Sequence, residues 1–301
     1  MLFRSEALPF SGDRHYLPAM TSHELPLGSV ADLVARALHE DLAGGDLTTE
    51  ACIDADAMAR ASAVARGAMV ACGGAVFEQV FRAIDPSLVV ERVAAEGERV
   101  GDGKTLWTVR GRARPILMGE RVALNFVQRM IGIATMARSY VDALPEGSTT
   151  RITDIRKTTP GLRIIERYAV RVGGAHNHRD NLGSAVLIKD NHIAACGGVG
   201  TAISRARARA PHTSRIECEV DSLEQLDEAL AAGADIVLLD NMDDDTVREA
   251  VRRAKGRAIT EASGGITLAR IPSLARLGVD VISAGALTHS VKSADVGLDF
   301  A

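Results

Sequence analysis

The sequence predicts a mixed α/β fold: an incomplete α/β barrel of six to seven strand–helix units, preceded by an α+β domain with a mostly antiparallel sheet. Three observations predict it. Beyond Ser148, short apolar runs alternate with helical stretches, the pattern of parallel strands joined by right-handed crossovers. Before about Gly111, short apolar runs are punctuated by glycine with little helix between them, as in antiparallel sheets. The repeating part spans roughly 140 residues, whereas a full eightfold barrel takes about 250, so the units should close incompletely. The first domain or a partner subunit would cover the gap.

Residues 1 to 22 hold turn formers without sustained periodicity and read as a frayed leader. From Val30 a helical pattern runs through Val34 and Leu38, ends at Gly44-Gly45, and is followed by Asp46-Leu-Thr-Thr, a cap or turn. Strands are expected at Ala61 to Ala65, Met69 to Ala71, Leu88 to Val93 and Thr105 to Val109, with one helix near Ala75 to Ala83. After Pro115 a long helix should run from Met118 to Leu144, its apolar stripe made by Val122, Phe126, Val127, Met130 and Ile133. It is long enough to bridge two domains. In the repeating part the expected strands are Arg151 to Asp154, Ala185 to Lys189, Ile216 to Val220, Ile236 to Asp240, Ala258 to Glu261 and Val281 to Ala284. Helices are expected near Gly161 to Val172, Gly200 to Ala208, Leu223 to Ala232, Thr246 to Lys255 and Leu268 to Leu277. The strands are nearly continuous apolar runs, as a sheet covered on both faces requires.

The 301 residues are 47% hydrophobic and 25% charged, which excludes disorder and coiled coil as the main class. Lys plus Arg number 35 against 39 Asp plus Glu, a net charge of -4, so no global field draws the chain to nucleic acid or to a membrane surface. Any anion binding must be local. No apolar stretch approaches the ~18 residues of a membrane span, and the first residues lack an apolar signal core, so the chain reads as cytoplasmic. Cys52, Cys72, Cys196 and Cys218 stand far apart with no C-x-x-C, which leaves no zinc knuckle or redox motif.

The chemistry-bearing residues cluster where the expected strands end, the rim at which parallel α/β folds build sites. Between Arg151 and Lys189 the chain carries eight Lys or Arg against three acids, Asp154, Glu166 and Asp180, a local excess that points to a polyanionic ligand. Arg163, Arg167 and Arg171 recur every fourth residue and read as a solvated helix face. Arg156, Lys157, Arg179 and Lys189 lie near strand ends and read as ligand contacts. Glu219 and Asp240, each closing one of two successive strands, suit Mg2+, which takes one or two carboxylates and completes its shell with phosphate and water oxygens. The alternative is helix capping, which for Asp240 is weakened by the better placed Asp243 and Asp244. Ser263-Gly264-Gly265 and Gly285-Ala286-Leu resemble phosphate-binding loops, where glycine lets backbone N–H groups approach an anion. His176-Asn-His178 raises a zinc alternative, but it lacks the strand-end placement that would aim both rings at one metal. His178, beside Arg179, is the better anion contact.

Glu120-Arg121-x-Ala-Leu-Asn125-Phe, Gly132-Ile-Ala-Thr135, Arg156-Lys157-Thr-Thr-Pro-Gly-Leu-Arg163, Asn177-His178-Arg179, Leu187-Ile-Lys189-Asp190-Asn191-His192, Glu217-x-Glu219-Val, Leu239-Asp240-Asn241, Ser263-Gly-Gly and Gly285-Ala-Leu-Thr-His289-Ser together resemble quinolinate phosphoribosyltransferase. Glu40-Asp41-Leu with Gly45-Asp46-x-Thr-Thr resembles the N-terminal signature of that family. The resemblance implies an N-terminal α/β sandwich domain over residues 23 to 130, rejoined by residues 288 to 301, and an open barrel over residues 131 to 287. It implies transfer of phosphoribosyl from phosphoribosyl pyrophosphate to quinolinate with decarboxylation, in NAD biosynthesis. It further implies a homodimer, with higher assembly left open, in which Arg121 reaches the partner's site. Arg156, Arg179 and Lys189, with that Arg121 and His178 nearby, would hold the quinolinate carboxylates. Lys157, Glu219 and Asp240 would serve phosphoribosyl pyrophosphate and its Mg2+, and Lys157, Lys189, Glu219 and Asp240 would be the catalytic set. Ser263, Gly264, Gly265, Gly285, Ala286 and His289 would hold the ribose 5-phosphate. Ile155 stands where the family usually has Thr, and Asn181-Leu-Gly-Ser184 departs from its usual loop. Two alternatives stay open: an enzyme of the same fold acting on another acid, such as the branch encoded with molybdate transport, and a phosphosugar-binding or regulatory protein.

Overall fold

The computed structural model describes residues 25–301; the leader expected over residues 1 to 22 lies outside them. The first half runs α1 (Leu27–Leu42), α2 (Leu47–Cys52), β1 (Met58–Ala65), β2 (Met69–Val70), α3 (Gly74–Ile84), β3 (Val89–Arg92), β4 (Arg99–Val100), β5 (Thr105–Arg112) and α4 (Ala113–Asp142). Asp46 does cap, its carboxylate accepting the Thr49 N–H at 2.9 Å, and the turn it starts continues as α2. Helix α4 begins before Pro115 rather than after it. In the first helical turn the backbone N–H has no partner within the helix, so proline loses nothing there.

The second half runs β6 (Arg151–Thr153), α5 (Arg163–Val172), β7 (Val186–Ile188), α6 (Asp190–Cys196), α7 (Val199–Arg209), β8 (Ile216–Val220), α8 (Leu223–Ala231), β9 (Ile236–Asp240), α9 (Asp244–Ala254), β10 (Ile259–Ser263), α10 (Ile271–Arg276), β11 (Val281–Ser283), α11 (Ala286–His289) and β12 (Val296–Phe300). The last strand returns to the first half and completes a four-stranded sheet in the order β12-β1-β5-β3, every pair antiparallel. That sheet buries Trp107, whose ring stacks on Phe77 of α3 with centroids 5.2 Å apart. Helix α4 packs on α3 and α1 and also on α5 and β6, so it is the spine shared by both sheets.

Strands β6 to β11 form one six-stranded sheet in the order β6-β11-β10-β9-β8-β7, with every pair parallel. All six expected strands are present, within a residue or two of the ends read from the sequence. Among the described residues β6 and β7 are not paired with each other, so no closed barrel forms. Four elements escaped the sequence, β4, α11, β12 and α6; the last occupies Asp190–Cys196 and buries none of its residues, so it carries no apolar stripe to betray it. Because all six strands run the same way, their C-terminal ends meet at one rim.

Candidate active site

At that rim lies a cavity of about 610 Å3. Arg156 and Lys157 enter it from the segment after β6, His178 and Arg179 from the connection to β7, and Lys189 from the end of β7. Glu219 and Asp240 enter from β8 and β9, Ser263, Gly264 and Gly265 from the end of β10, and Gly285, Ala286 and His289 from the turn after β11. Every residue given a catalytic or binding role from the sequence lines this one cavity except Arg121. That residue lies on α4 with its side chain 61% exposed, 4.0 Å from Glu120. Ile155 also lines the cavity.

One wall is cationic. The Nε atoms of Arg156 and Arg179 are buried and have no hydrogen-bond partner within the protein. Arg179 spends one Nη1 hydrogen bond on the Ala185 carbonyl at 3.0 Å. Burial, and then the Arg156 charge beside it, pull the Arg179 guanidinium below its usual range, against the opposing charge of Glu217. The loop from Asn181 to Ser184 closes on itself instead of entering the cavity: Ser184 Oγ accepts the N–H groups of Asp180 and Asn181.

The facing wall is acidic. Lys189 Nζ donates to Glu219 Oε2 at 2.6 Å, so the cationic and acidic walls already touch. Asp240 accepts from Asn241 Nδ2 at 2.7 Å. Neither carboxylate caps a helix: Ser222 caps α8 and Asp243 caps α9. Both acids are thereby left for the cavity. Gly264, at φ 81°, packs so closely on Asn241 that an added Cβ would sit 2.8 Å from its backbone nitrogen. Only glycine fits that turn.

Beneath the walls is a cluster that sequence reasoning did not assign. His178 Nε2 lies 3.3 Å from Glu217 Oε2 and 3.6 Å from Glu261 Oε1. Their ligand atoms fall within 4.8 Å of one another, close enough to hold a cation or share a proton. Burial first, and then the Glu217 charge, raise the Glu261 carboxyl to about 7 against the pull of His178, Ser283 and Lys189. Burial alone would lower His178, yet its hydrogen bond to Glu217 and the charges of Glu261 and Asp154 carry it above its ordinary value. The available signal was strand alternation, since Glu217 and Glu219 lie two apart on β8 and so share a face. His176 is not part of the cluster. Its N–H donates to the Ile152 carbonyl at 2.8 Å along the edge of β6, so the zinc alternative finds no second ring at one point.

The stripe read as a solvated face is corrected by the structure. Arg167 is buried and donates to the Arg179 carbonyl at 2.8 Å and to the His178 carbonyl. Arg171 donates to Asn177 Oδ1, and Arg163 Nε to Thr158 Oγ1 at 3.0 Å. Helix α5 lies under the rim segments, so Arg167 is shut away from water and the half-buried Arg163 and Arg171 are tied to neighbouring side chains.

Residues 46–131 match the family model of the quinolinate phosphoribosyl transferase N-terminal domain, and residues 133–299 that of its C-terminal domain. The chain is 46% identical over 276 residues to the nicotinate-nucleotide pyrophosphorylase (carboxylating) of Mycobacterium leprae, covering 89% of this chain and 96% of that one. It is 44% identical over 260 residues to the probable nicotinate-nucleotide pyrophosphorylase (carboxylating) of Bacillus subtilis, covering 86% of this chain and 89% of that one. Among solved structures, NadC from Streptococcus pyogenes superposes with a TM-score of 0.87 at 42% identity, over 92% of this chain and 99% of that one.

Proposed function

The chain belongs to the quinolinate phosphoribosyltransferase family, and from that premise we propose how its cavity carries out the family's reaction. It is an enzyme that moves phosphoribosyl from phosphoribosyl pyrophosphate to quinolinate and releases pyrophosphate and CO2, a step of NAD biosynthesis. The observation that carries the assignment of roles is the convergence of a cationic wall, two acidic residues and two glycine turns on a single cavity.

Arg156, Arg179 and Lys189 take the two carboxylates of quinolinate, with His178 beside them. A guanidinium pairs with a carboxylate in a planar fork, so the ring is oriented as well as bound. The glycine turns Ser263-Gly264-Gly265 and Gly285-Ala286, with His289, bind the 5-phosphate. Lys157 meets the pyrophosphate. Glu219 and Asp240 are hard oxygen donors and fit Mg2+, which when bound neutralises charge on the leaving pyrophosphate. Substrate binding then requires Lys189 to turn from Glu219 to the quinolinate carboxylate, which frees Glu219 for the phosphoribosyl side. The pyridine nitrogen displaces pyrophosphate at the anomeric carbon, and the two carboxylates favour the positive charge that develops on the sugar. Once the nitrogen is cationic, the carbon next to it loses its carboxylate as CO2 and takes up a proton. No protein nucleophile is used, so positioning and electrostatics supply the acceleration.

The reading includes a homodimer in which Arg121 completes the partner's site. The exposure of Arg121 outside its own cavity supports this. It also includes a cytoplasmic location, supported by four cysteines that are all unpaired. The test is pyrophosphate release and product identification with quinolinate and nicotinate in parallel, with and without chelation of Mg2+. Release with quinolinate alone, abolished by chelation, is expected. Release with nicotinate alone would reassign the acid, and no release with either would favour the phosphosugar-binding alternative.

A further inference from the structure

Two neighbouring residues of α5, Glu166 and Arg167, are buried with opposite charges, and neither lines the cavity. Each reaches a different half of the rim. Glu166 Oε1 accepts from Arg129 Nη2 at 2.9 Å, and its Oε2 accepts the Thr159 N–H at 3.1 Å. The same Arg129 donates to the Thr288 carbonyl and, at 3.2 Å, to the Val291 carbonyl. The ring of contacts closes where Thr288 Oγ1 donates to the Lys157 carbonyl at 2.8 Å. One carboxylate therefore ties the segment that carries Lys157 to the turn that carries Gly285 and His289. Arg167 acts on the other side. It donates to the carbonyls of His178 and Arg179 and lies 3.8 Å from Asp154. Asp154 in turn accepts the His178 N–H at 2.8 Å and Asn177 Nδ2 at 2.7 Å.

Resting on the assignment of the cavity given above, we propose that Glu166 and Arg167 are positioning residues with divided duties. Glu166, through Arg129 and Thr288, sets the phosphoribosyl pyrophosphate side, and Arg167, through Asp154, sets the aromatic-acid side. The physical case is that a buried ion pair is a poor stabiliser, since its desolvation cost rivals its attraction and apolar side chains of similar size serve as well. Charge-assisted hydrogen bonds do something apolar packing does not: they fix the direction of backbone carbonyls and N–H groups. Here the held backbone belongs to Lys157, His178 and Arg179 themselves, to Thr288 next to His289, or to Thr159 and Val291 two residues from the cavity residues Lys157 and His289. In a reaction driven by positioning, small displacements of these groups lower the rate steeply.

The test is steady-state kinetics with each substrate varied in turn, beside thermal melting, for Glu166→Gln, Thr288→Val, Arg167→Met and Arg167→Lys. Glu166→Gln and Thr288→Val should raise KM for phosphoribosyl pyrophosphate by about tenfold and about threefold, leaving KM for quinolinate within about twofold. Arg167→Met should do the reverse, and Arg167→Lys should recover part of the loss. Thr288→Val removes one hydroxyl at nearly constant shape and serves where Glu166→Gln does not fold. Variants that melt earlier but keep both KM values, or that raise both equally, would overturn the division of duties. An inactive wild type would instead overturn the reading of the cavity, so the two failures are distinguishable.

Discussion

At Glu261 a carboxyl group is buried beside the Glu217 carboxylate, with His178 and Ser283 as its polar company. Raised to about 7 from an ordinary 4.5, it keeps its proton in the folded protein over a pH range, between those two values, where the unfolded chain has released it. A raised carboxyl contributes its stability below the unfolded value and loses it as pH climbs toward the folded one. The ligand-free wild type should therefore lose stability relative to Glu261→Gln as the pH rises from 5 to 8. Urea midpoints of the two proteins at both pH values check this, and a constant difference would count against it. The residue shows where reading by strand end stops. Arg156, Lys189, Glu219 and Asp240 are legible because each closes or follows an apolar run. Glu217 lies one alternation deeper in β8, where an acidic residue inside a strand looks like an interruption, and Glu261, read as the end of its strand, lies inside β10.

The elements were legible wherever burial leaves a period. Strands β6 to β11 and the long α4 are apolar in the rhythm their packing demands, and the sequence shows them. Helix α6 buries nothing and stays invisible. The arginine stripe of α5 follows the rule of a solvated face and breaks it, because rim segments fold back over that face. Helix α4 offers a further check. Gly132 lies against the tail so closely that an added Cβ would collide with the Lys292 carbonyl oxygen and lie 3.0 Å from Val291 Cγ1. Helix propensity alone would favour alanine there by about 1 kcal/mol. Backbone cannot step aside as a rotamer can, so overpacking should win and Gly132→Ala should lower stability by about 1–3 kcal/mol net. A melting temperature equal to or above that of the wild type would show that the tail yields instead.

At the scale of the whole molecule, the cavity of one chain omits Arg121, whereas the proposed reaction uses it across a dimer. Arg121→Ala and Lys189→Ala subunits should each be nearly inactive alone. Unfolded together and refolded in equal amounts, they should regain roughly a quarter of wild-type activity, because half the dimers are mixed and each mixed dimer has one intact site. No recovery in verified mixed dimers would return Arg121 to a role within its own chain. By itself the sequence determined the class of the fold, the six parallel strands and the family, because these depend on apolar periodicity and on residues adjacent along the chain. Tertiary structure alone decided that the break in the sheet falls between β6 and β7, that His178 sits over two buried glutamates, and that α5 supports both halves of the rim. Those features are contacts between residues far apart along the chain. No local pattern encodes them, since they exist only once the strands bring their ends together.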